Sequence, residues 1–232
     1  MDLSRRSTEP EWMDGEGVDF ETFRGCLHDL ARVNVLSGGY RPTLAFLEGL
    51  RRAGRLPRGR AVRVLDVGSG YGDALRAVAR WAARAGVAVE LTGVDLNPWA
   101  ARAAAEATPG GGIAFVTGDA FDHGEGADVI LSALFAHHLP DADVVRFLRL
   151  MEERAGVGWL VNDLHRHPLP ARAFGALAGA LRLHPFVRHD GPVSFARAFV
   201  PADWHRLLAE AGAEGARVRR RFPFRLCVER AR

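Results

Sequence analysis

The sequence predicts an α/β fold: a seven-stranded, mostly parallel sheet flanked by helices, with a helical cap before it and an insertion after its fifth strand. Three observations carry this expectation. From residue 61 onward, short β-branched runs alternate with alanine-rich stretches, the rhythm of βαβ units whose parallel strands are covered on both faces. The chain has 232 residues, 48% of them hydrophobic, which suffices for a sizeable core in one large domain or two small ones. The alternation breaks after Leu164, where a segment rich in His, Pro and Arg runs to Phe199.

Taken in order, residues 1 to about 16 are polar, carry Pro10 and Gly15 as breakers, and read as a loose arm. Phe20, Phe23, Leu27 and Leu30, then Leu44, Leu47 and Leu50, recur at helical spacing, giving two helices parted by Ser37, Gly38 and Gly39. Residues 1–56 are therefore expected to form an arm and helical cap, and residues 57–232 the main domain. Strands are expected at 61–67, 89–94, 113–116, 128–134 and 159–164, with helices at 74–85, 98–107 and 143–154 between them. Pro98 suits the first turn of its helix. The insertion at about 165–199 holds one helical stretch, 171–183, and its length suits a lid or substrate wall. A helix at 201–211 and strands at 216–219 and 226–229 close the pattern.

Composition narrows the function classes. Cys26 and Cys227 lie far apart without metal-type spacing, which argues against a disulfide framework and a zinc knuckle and fits a reducing compartment. No secretory pattern occurs, and no apolar run reaches the roughly 18 residues a membrane span needs, so a cytoplasmic protein is expected. The net charge is +3 and every basic residue is arginine, yet the arginines are interleaved with acids rather than gathered in a stripe, which argues against nucleic acid as a partner. The one dense run, Arg217 with Arg219, Arg220 and Arg221, fits an exposed strand.

Ligands of open α/β sheets sit at the carboxyl ends of the strands. At the first strand end, Leu65-Asp66-Val67-Gly68-Ser69-Gly70-Tyr71-Gly72-Asp73 puts glycines where the backbone must turn tightly and approach a ligand. The dinucleotide spacing is not met, because Asp73 fills its third glycine slot and the glycine falls one position early. Asp66, two residues ahead of the first glycine, suits a cationic amino-acid moiety better than a pyrophosphate.

These residues resemble the first motif of the class I S-adenosylmethionine (SAM)-dependent methyltransferases, and the likeness extends over about residues 60–165. It implies a Rossmann-like sheet with SAM as cofactor and S-adenosylhomocysteine as product. In that family the second strand ends in an acid that holds the ribose hydroxyls, and Val94-Asp95-Leu96-Asn97 matches; a carboxylate can accept both hydrogen bonds of a vicinal diol. Gly118-Asp119-Ala120 resembles the adenine-binding turn. By this resemblance the donor residues are Asp66, Gly68, Ser69, Gly70, Asp95, Leu96, Asp119, Ala120 and Ser132. Taken singly, each acid could equally be a helix cap.

Residues 128–139, with His137 and His138 after the fourth strand, resemble the corresponding stretch of small-molecule members. The Asn/Asp-Pro-Pro-aromatic motif of base-amine methylation is absent. The carboxylate and Asp-Asn step of the metal-dependent catechol members are replaced by Ser132 and a reversed Asn162-Asp163, and no carboxylate stands at metal spacing from the paired histidines, so no metal is expected. Methyl transfer to a hydroxyl needs orientation and a general base, and His137, His138, His165 and His189 are the candidates, His138 being equally suited to a structural role. Phe174, Leu177 and Leu181 fit core before pocket by their helical spacing, while Phe186, Phe195 and Phe199 add aromatic surface. Residues 31–38 and 188–194 resemble bacterial methyltransferases of aromatic polyketide or quinone-type metabolites. The expected reaction is therefore O-methylation of a small, aromatic or lipidic secondary metabolite, with a phenolic or lipidic acceptor as partner. C-methylation of a quinol-like ring, a SAM-binding protein without transfer activity, and RNA methylation are the alternatives. The sequence leaves the oligomeric state open.

Overall fold

The computed structural model describes residues 2–15 and 17–232. Among these, seven strands form one sheet: β1 (Val62–Val67), β2 (Val89–Asp95), β3 (Ile113–Thr117), β4 (Val129–Ala133), β5 (Gly158–Leu164), β6 (Arg217–Arg221) and β7 (Arg225–Ala231), in the order β3-β2-β1-β4-β5-β7-β6. The first five run parallel, and β7 lies antiparallel to β5 and β6. Strand order therefore reverses between β1 and β4, which opens a crevice beyond their carboxyl ends. The register pairs Val67 with Val94 on one side and with Ser132 on the other, so the loops that follow β1, β2 and β4 leave the sheet at one level.

Alternation along the strands sorts the core into two layers. Val62 and Val64 of β1, Val129 and Leu131 of β4, and Leu160 of β5 face α2 (Arg41–Arg52) and α3 (Asp73–Ala85). Leu65 and Val67, Ile130, Trp159 and Val161 face α5 (Asp141–Arg154) and α8 (Pro201–Ala211). Trp159 and Trp204 are fully buried there. The two helices expected before the sheet do different work. Phe46, Leu47 and Leu50 of α2 belong to the sheet's own core. By contrast, α1 (Phe20–Leu36) packs Phe23 and Leu27 on Ala100 and Ala103 of α4 (Pro98–Glu106), and turns Cys26 toward the insertion.

Two expectations need correction. The insertion holds two helices, α6 (Pro168–Ala180) and α7 (Pro185–Arg197), where the sequence suggested one at 171–183. Pro168 and Pro185 open these helices at a position where a missing N–H costs nothing. His167 and His184 cap them, each Nδ1 accepting a backbone N–H, from Leu169 (3.2 Å) and Phe186 (3.3 Å). The arm is not loose over its described part, while Met1 and Glu16 lie outside the described residues. Ser7 N–H donates to Ala196 O at 3.0 Å, Trp12 and Met13 N–H donate to the two oxygens of Asp190, and Arg6 donates to the carbonyls of His137, Leu139 and Arg197. Backbone N–H groups of the arm and the Arg6 guanidinium are spent on long-range hydrogen bonds to α7 and to the loop after β4. No helix among the described residues is long and apolar enough to cross a membrane.

Candidate active site

A cavity of about 800 Å³ lies over the carboxyl ends of β1, β2 and β4, roofed by α1, α6, α7 and the arm. Its floor is the turn after β1. Gly68, Gly70 and Gly72 all take positive φ (68°, 47° and 70°), a region open to glycine. A Cβ on Gly68 would come within 2.5 Å of the Phe135 ring, and one on Gly72 within 2.5 Å of Phe115, so both the bend and the packing demand glycine. Asp95, at the end of β2, locks the turn: its Oδ2 accepts Gly70 N–H at 2.9 Å and its Oδ1 accepts Asn97 N–H at 3.0 Å. Each oxygen retains acceptor capacity beyond these bonds, and Asp95 lines the cavity. Burial raises the Asp95 pKa, and the two backbone donors only partly offset it.

Below the turn sits Asp66, 2% exposed, with no hydrogen-bond partner for Oδ1 among the described residues. Burial, then the nearby Asp73 and Asp95 charges, push its pKa well above the ordinary carboxylate range. It borders a small polar pocket, shared with Asn34, Tyr40, Asp73, Asn162 and Arg225, that adjoins the main cavity. An uncompensated buried acid of this kind lacks a cation. The orphaned oxygen and the Cβ-free cradle fit a ligand that carries an amino-acid ammonium and a sulfonium.

The opposite wall is built from distant parts of the chain. His137 follows β4 in a single 3-10 turn, is 3% exposed, and is held by Asp163 at the end of β5: its N–H donates to Oδ2 at 3.0 Å and its Nδ1 meets Oδ1 at 2.7 Å. Its Nε2 faces Glu11 Oε1 at 3.6 Å. Burial opposes its charging, but Asp163 and Glu11 outweigh that and raise its pKa to about 9. Glu11 is 5% exposed; burial alone would raise its pKa, yet His137, His138 and the Ser194 hydroxyl (2.8 Å) bring it down to about 2. His138 turns its Nδ1 to Asp14 Oδ2 at 2.9 Å and its Nε2 to Glu11 Oε1 at 3.9 Å. Between the two walls the lining is apolar: Leu27, Leu30, Phe135, Phe174, Leu177 and Phe195.

Of the residues singled out from the sequence, Gly68, Ser69, Gly70, Asp95, Leu96, His137 and His138 line this cavity, and Asp66 borders the small pocket beside it. Phe174 and Leu177, expected as core, face it as well, whereas Leu181 packs with Cys26 and Val187. The others stand elsewhere. Asp119 is exposed and caps a short 3-10 turn by accepting Phe121 N–H at 3.0 Å, with Ala120 inside that turn. Ser132 is buried within the sheet, and its hydroxyl has no partner among the described residues. His165 gives its backbone N–H to Phe224 O at 2.9 Å, and burial, then Arg220 and His167, lower its pKa. His189 stacks on Trp12 at 3.7 Å and meets Asp190 Oδ1 at 2.8 Å, so it fastens the arm. Glu11, Asp14 and Asp163 escaped sequence reasoning. Glu11 and Asp14 fell in the presumed loose arm, and Asp163 in a step read only for its reversal; the adjacent histidines were the one signal that carboxylates belonged nearby.

Residues 64–155 match the methyltransferase domain family. No curated protein matches the chain. Solved structures share its fold. Magnesium protoporphyrin IX methyltransferase from Synechocystis PCC 6803, with bound SAM, superposes with a TM-score of 0.54 at 17% identity, covering 95% of this chain and 88% of that one. Human N-acetylserotonin methyltransferase in complex with SAM gives 0.63 at 17%, covering 92% and 56%. The mitomycin 7-O-methyltransferase gives 0.57 at 20%, covering 94% and 62%.

Proposed function

We propose that this chain is a class I SAM-dependent methyltransferase that moves a methyl group to a hydroxyl of a small aromatic or lipidic acceptor. The observation that carries the reading is the division of one cavity into a donor floor at Gly68, Gly70 and Asp95 and a facing polar triangle of Glu11, His137 and His138, with apolar side chains between them. SAM, when bound, supplies a methyl on a cationic sulfur and leaves as S-adenosylhomocysteine after in-line attack. Asp95 would hold this donor through its remaining lone pairs, suited to a ribose diol, and Asp66 through its carboxylate, whose ionised form a cationic ligand would stabilise. Apolar walls of this area and volume suit a largely hydrophobic acceptor with a few polar groups. Phe174, Leu177 and Phe195 would grip an aromatic or acyl body and exclude water, which leaves the acceptor's hydroxyl to the triangle. A hydroxyl is a poor nucleophile until it loses its proton, and the triangle is where this cavity gathers groups able to promote that loss.

The test is a panel of phenolic, aliphatic hydroxyl, amine and carbon acceptors incubated with methyl-labelled donor, with products resolved by mass spectrometry. Methyl ethers are the expected products. Transfer confined to nitrogen or carbon would overturn the reading. The fold neighbours that are named O-methyltransferases support the same choice.

A further inference from the structure

We propose that Glu11, His137 and His138 form a binding site for one divalent transition metal of the zinc class, placed on the acceptor wall of the cavity with an open position toward it. The argument begins with the two imidazoles. Each gives its Nδ1 to a carboxylate, His137 to Asp163 Oδ1 at 2.7 Å and His138 to Asp14 Oδ2 at 2.9 Å. Since a carboxylate only accepts, both Nδ1 atoms carry the proton and both Nε2 atoms present a lone pair in the neutral ring. Those two lone pairs converge on one oxygen, Glu11 Oε1, at 3.6 Å and 3.9 Å. A divalent cation among these three atoms would engage all of them at once, taking the place of the proton that His137 Nε2 otherwise shares with Glu11.

The surroundings are those of a metal centre. Imidazole ligands characteristically donate their second nitrogen to a carboxylate, which fixes the tautomer and strengthens the ligand. Here both do, and Glu11 is itself oriented by the Ser194 hydroxyl at 2.8 Å. The ligand atoms of Glu11, His137 and His138 all lie within 4.8 Å of one another. Tetrahedral zinc with bonds of about 2.0–2.1 Å needs ligand atoms roughly 3.4 Å apart, so closure asks the two imidazoles to draw in on Glu11 from 3.6 Å and 3.9 Å and on each other from within 4.8 Å, side-chain adjustments of about 1 Å or less per group. Two histidines and one carboxylate also form a known three-ligand set for zinc that keeps its fourth position open. All three residues line the cavity, so that position faces an acceptor. A hydroxyl oxygen taking it would lose its proton to solvent water more readily, because the metal lowers its pKa. The metal site rests on geometry alone, and this use of it rests on the hydroxyl reading above.

The experiment uses the full chain, stripped with chelator and titrated with Zn²⁺ and with Co²⁺ as a visible probe, with Mg²⁺ as the oxygen-preferring control. One equivalent of Zn²⁺ or Co²⁺ per chain, with tetrahedral cobalt bands and little response to Mg²⁺, is expected. Glu11→Gln and His138→Ala should each weaken binding by about 100-fold, and Asp14→Asn by about 10-fold, the scale of a partner that only orients a ligand. S-adenosylhomocysteine affinity, unchanged in all three variants, shows that the fold persists. Asp14→Asn, at the exposed edge, carries the test should a buried variant fail to fold. Absence of stoichiometric binding, or binding indifferent to all three substitutions, would overturn the metal site. Metal uptake combined with transfer only to nitrogen would leave the site standing and sink the hydroxyl reading, whereas methyl ether formation by metal-free protein would sink the metal's role and leave that reading.

Discussion

The two walls of the cavity are assembled in opposite ways. The donor floor comes from consecutive strand ends: Asp66, the glycine turn and Asp95 lie within 30 residues, and the main contact across them, Gly70 N–H to Asp95, spans 25 positions. The acceptor wall joins Glu11 to Ser194 across 183 positions, His138 to Asp14 across 124 and His137 to Asp163 across 26. The floor is a property of turns, whose residue types are dictated by local backbone geometry. The wall is a property of the tertiary fold, since no short stretch contains more than a part of it. Substitutions in the floor should therefore act on donor affinity, and those in the wall on acceptor chemistry and on the docking of the arm.

The largest effect is expected inside the wall, where the two histidines should separate. His137→Ala leaves Asp163, fully buried, without its main partner, and breaking a buried charged pair costs about 3–5 kcal/mol. His138 is partly exposed and its partner Asp14 reaches solvent, so His138→Ala should cost within about 1 kcal/mol of stability. Yet it should lower transfer by about 100-fold or more, the scale of a positioned catalytic group. Urea unfolding beside a labelled-methyl assay reads both. Equal stability losses would erase the distinction between a buried anchor and a cavity-facing group.

The floor is tested next by Gly68→Ala. The added Cβ meets the Phe135 ring and the residue must hold a φ of 68°, so a loss of about 1–3 kcal/mol is expected. Calorimetry should show donor affinity falling at least about tenfold, since 1.4 kcal/mol corresponds to that factor. Gly86→Ala also places an alanine at positive φ but with nothing within 4 Å, and it should leave donor affinity unchanged. Donor binding that tolerates Gly68→Ala would mean that the turn is not the floor.

Legibility follows the same line. The glycines at 68, 70 and 72, the acid that ends β2 and the strand-helix alternation could be read directly, because each is a local consequence of backbone geometry or of a period of two. Asp119 marks the limit of that method, since a strand-end acid reads the same in sequence whether or not it also caps a turn, as Asp119 does by accepting Phe121 N–H. The second helix of the insertion went unread, because a proline that begins a helix, as Pro168 and Pro185 do, looks in sequence like one that ends an element. Glu11 was illegible for a different reason: its neighbours Pro10 and Gly15 signal irregular chain correctly, but irregular chain can still be fastened along its length. What fastens it, Asp190 and Arg197, lies about 180 residues away in another irregular-looking stretch.

A subtler separation concerns charge in the floor. Asp66 holds its proton more tightly folded than unfolded, because burial disfavours the anion. Protonation therefore favours the folded state, and wild-type stability without ligand should fall as pH rises from the ordinary Asp value of about 3.9 through the raised folded value. Asp66→Asn removes the titration. It should raise ligand-free stability by about 1–2 kcal/mol at neutral pH and flatten that slope, while weakening donor binding. Thermal melts across pH, with and without S-adenosylhomocysteine, measure this. A variant that is both less stable and fully able to bind donor would show Asp66 to be a structural acid.

The smallest expected effect tests whether the walls are independent. Asp190 accepts Trp12 N–H at 2.8 Å and Met13 N–H at 3.0 Å, one on each oxygen. Asn in its place keeps one acceptor oxygen and turns a donor toward the other N–H, a loss of about 1 kcal/mol that falls on the arm. Because Glu11 precedes Trp12 directly, a loosened arm should withdraw it from His137 and His138 in a fraction of molecules, raising the acceptor KM several-fold. The bond that locks the floor, Gly70 N–H to Asp95, is separate from those that Asp190 accepts from the arm, so donor affinity should stay within about twofold, and limited proteolysis should cut sooner within residues 2–15. Parallel losses in donor and acceptor binding would mean that the arm closes the whole cavity, not one wall of it.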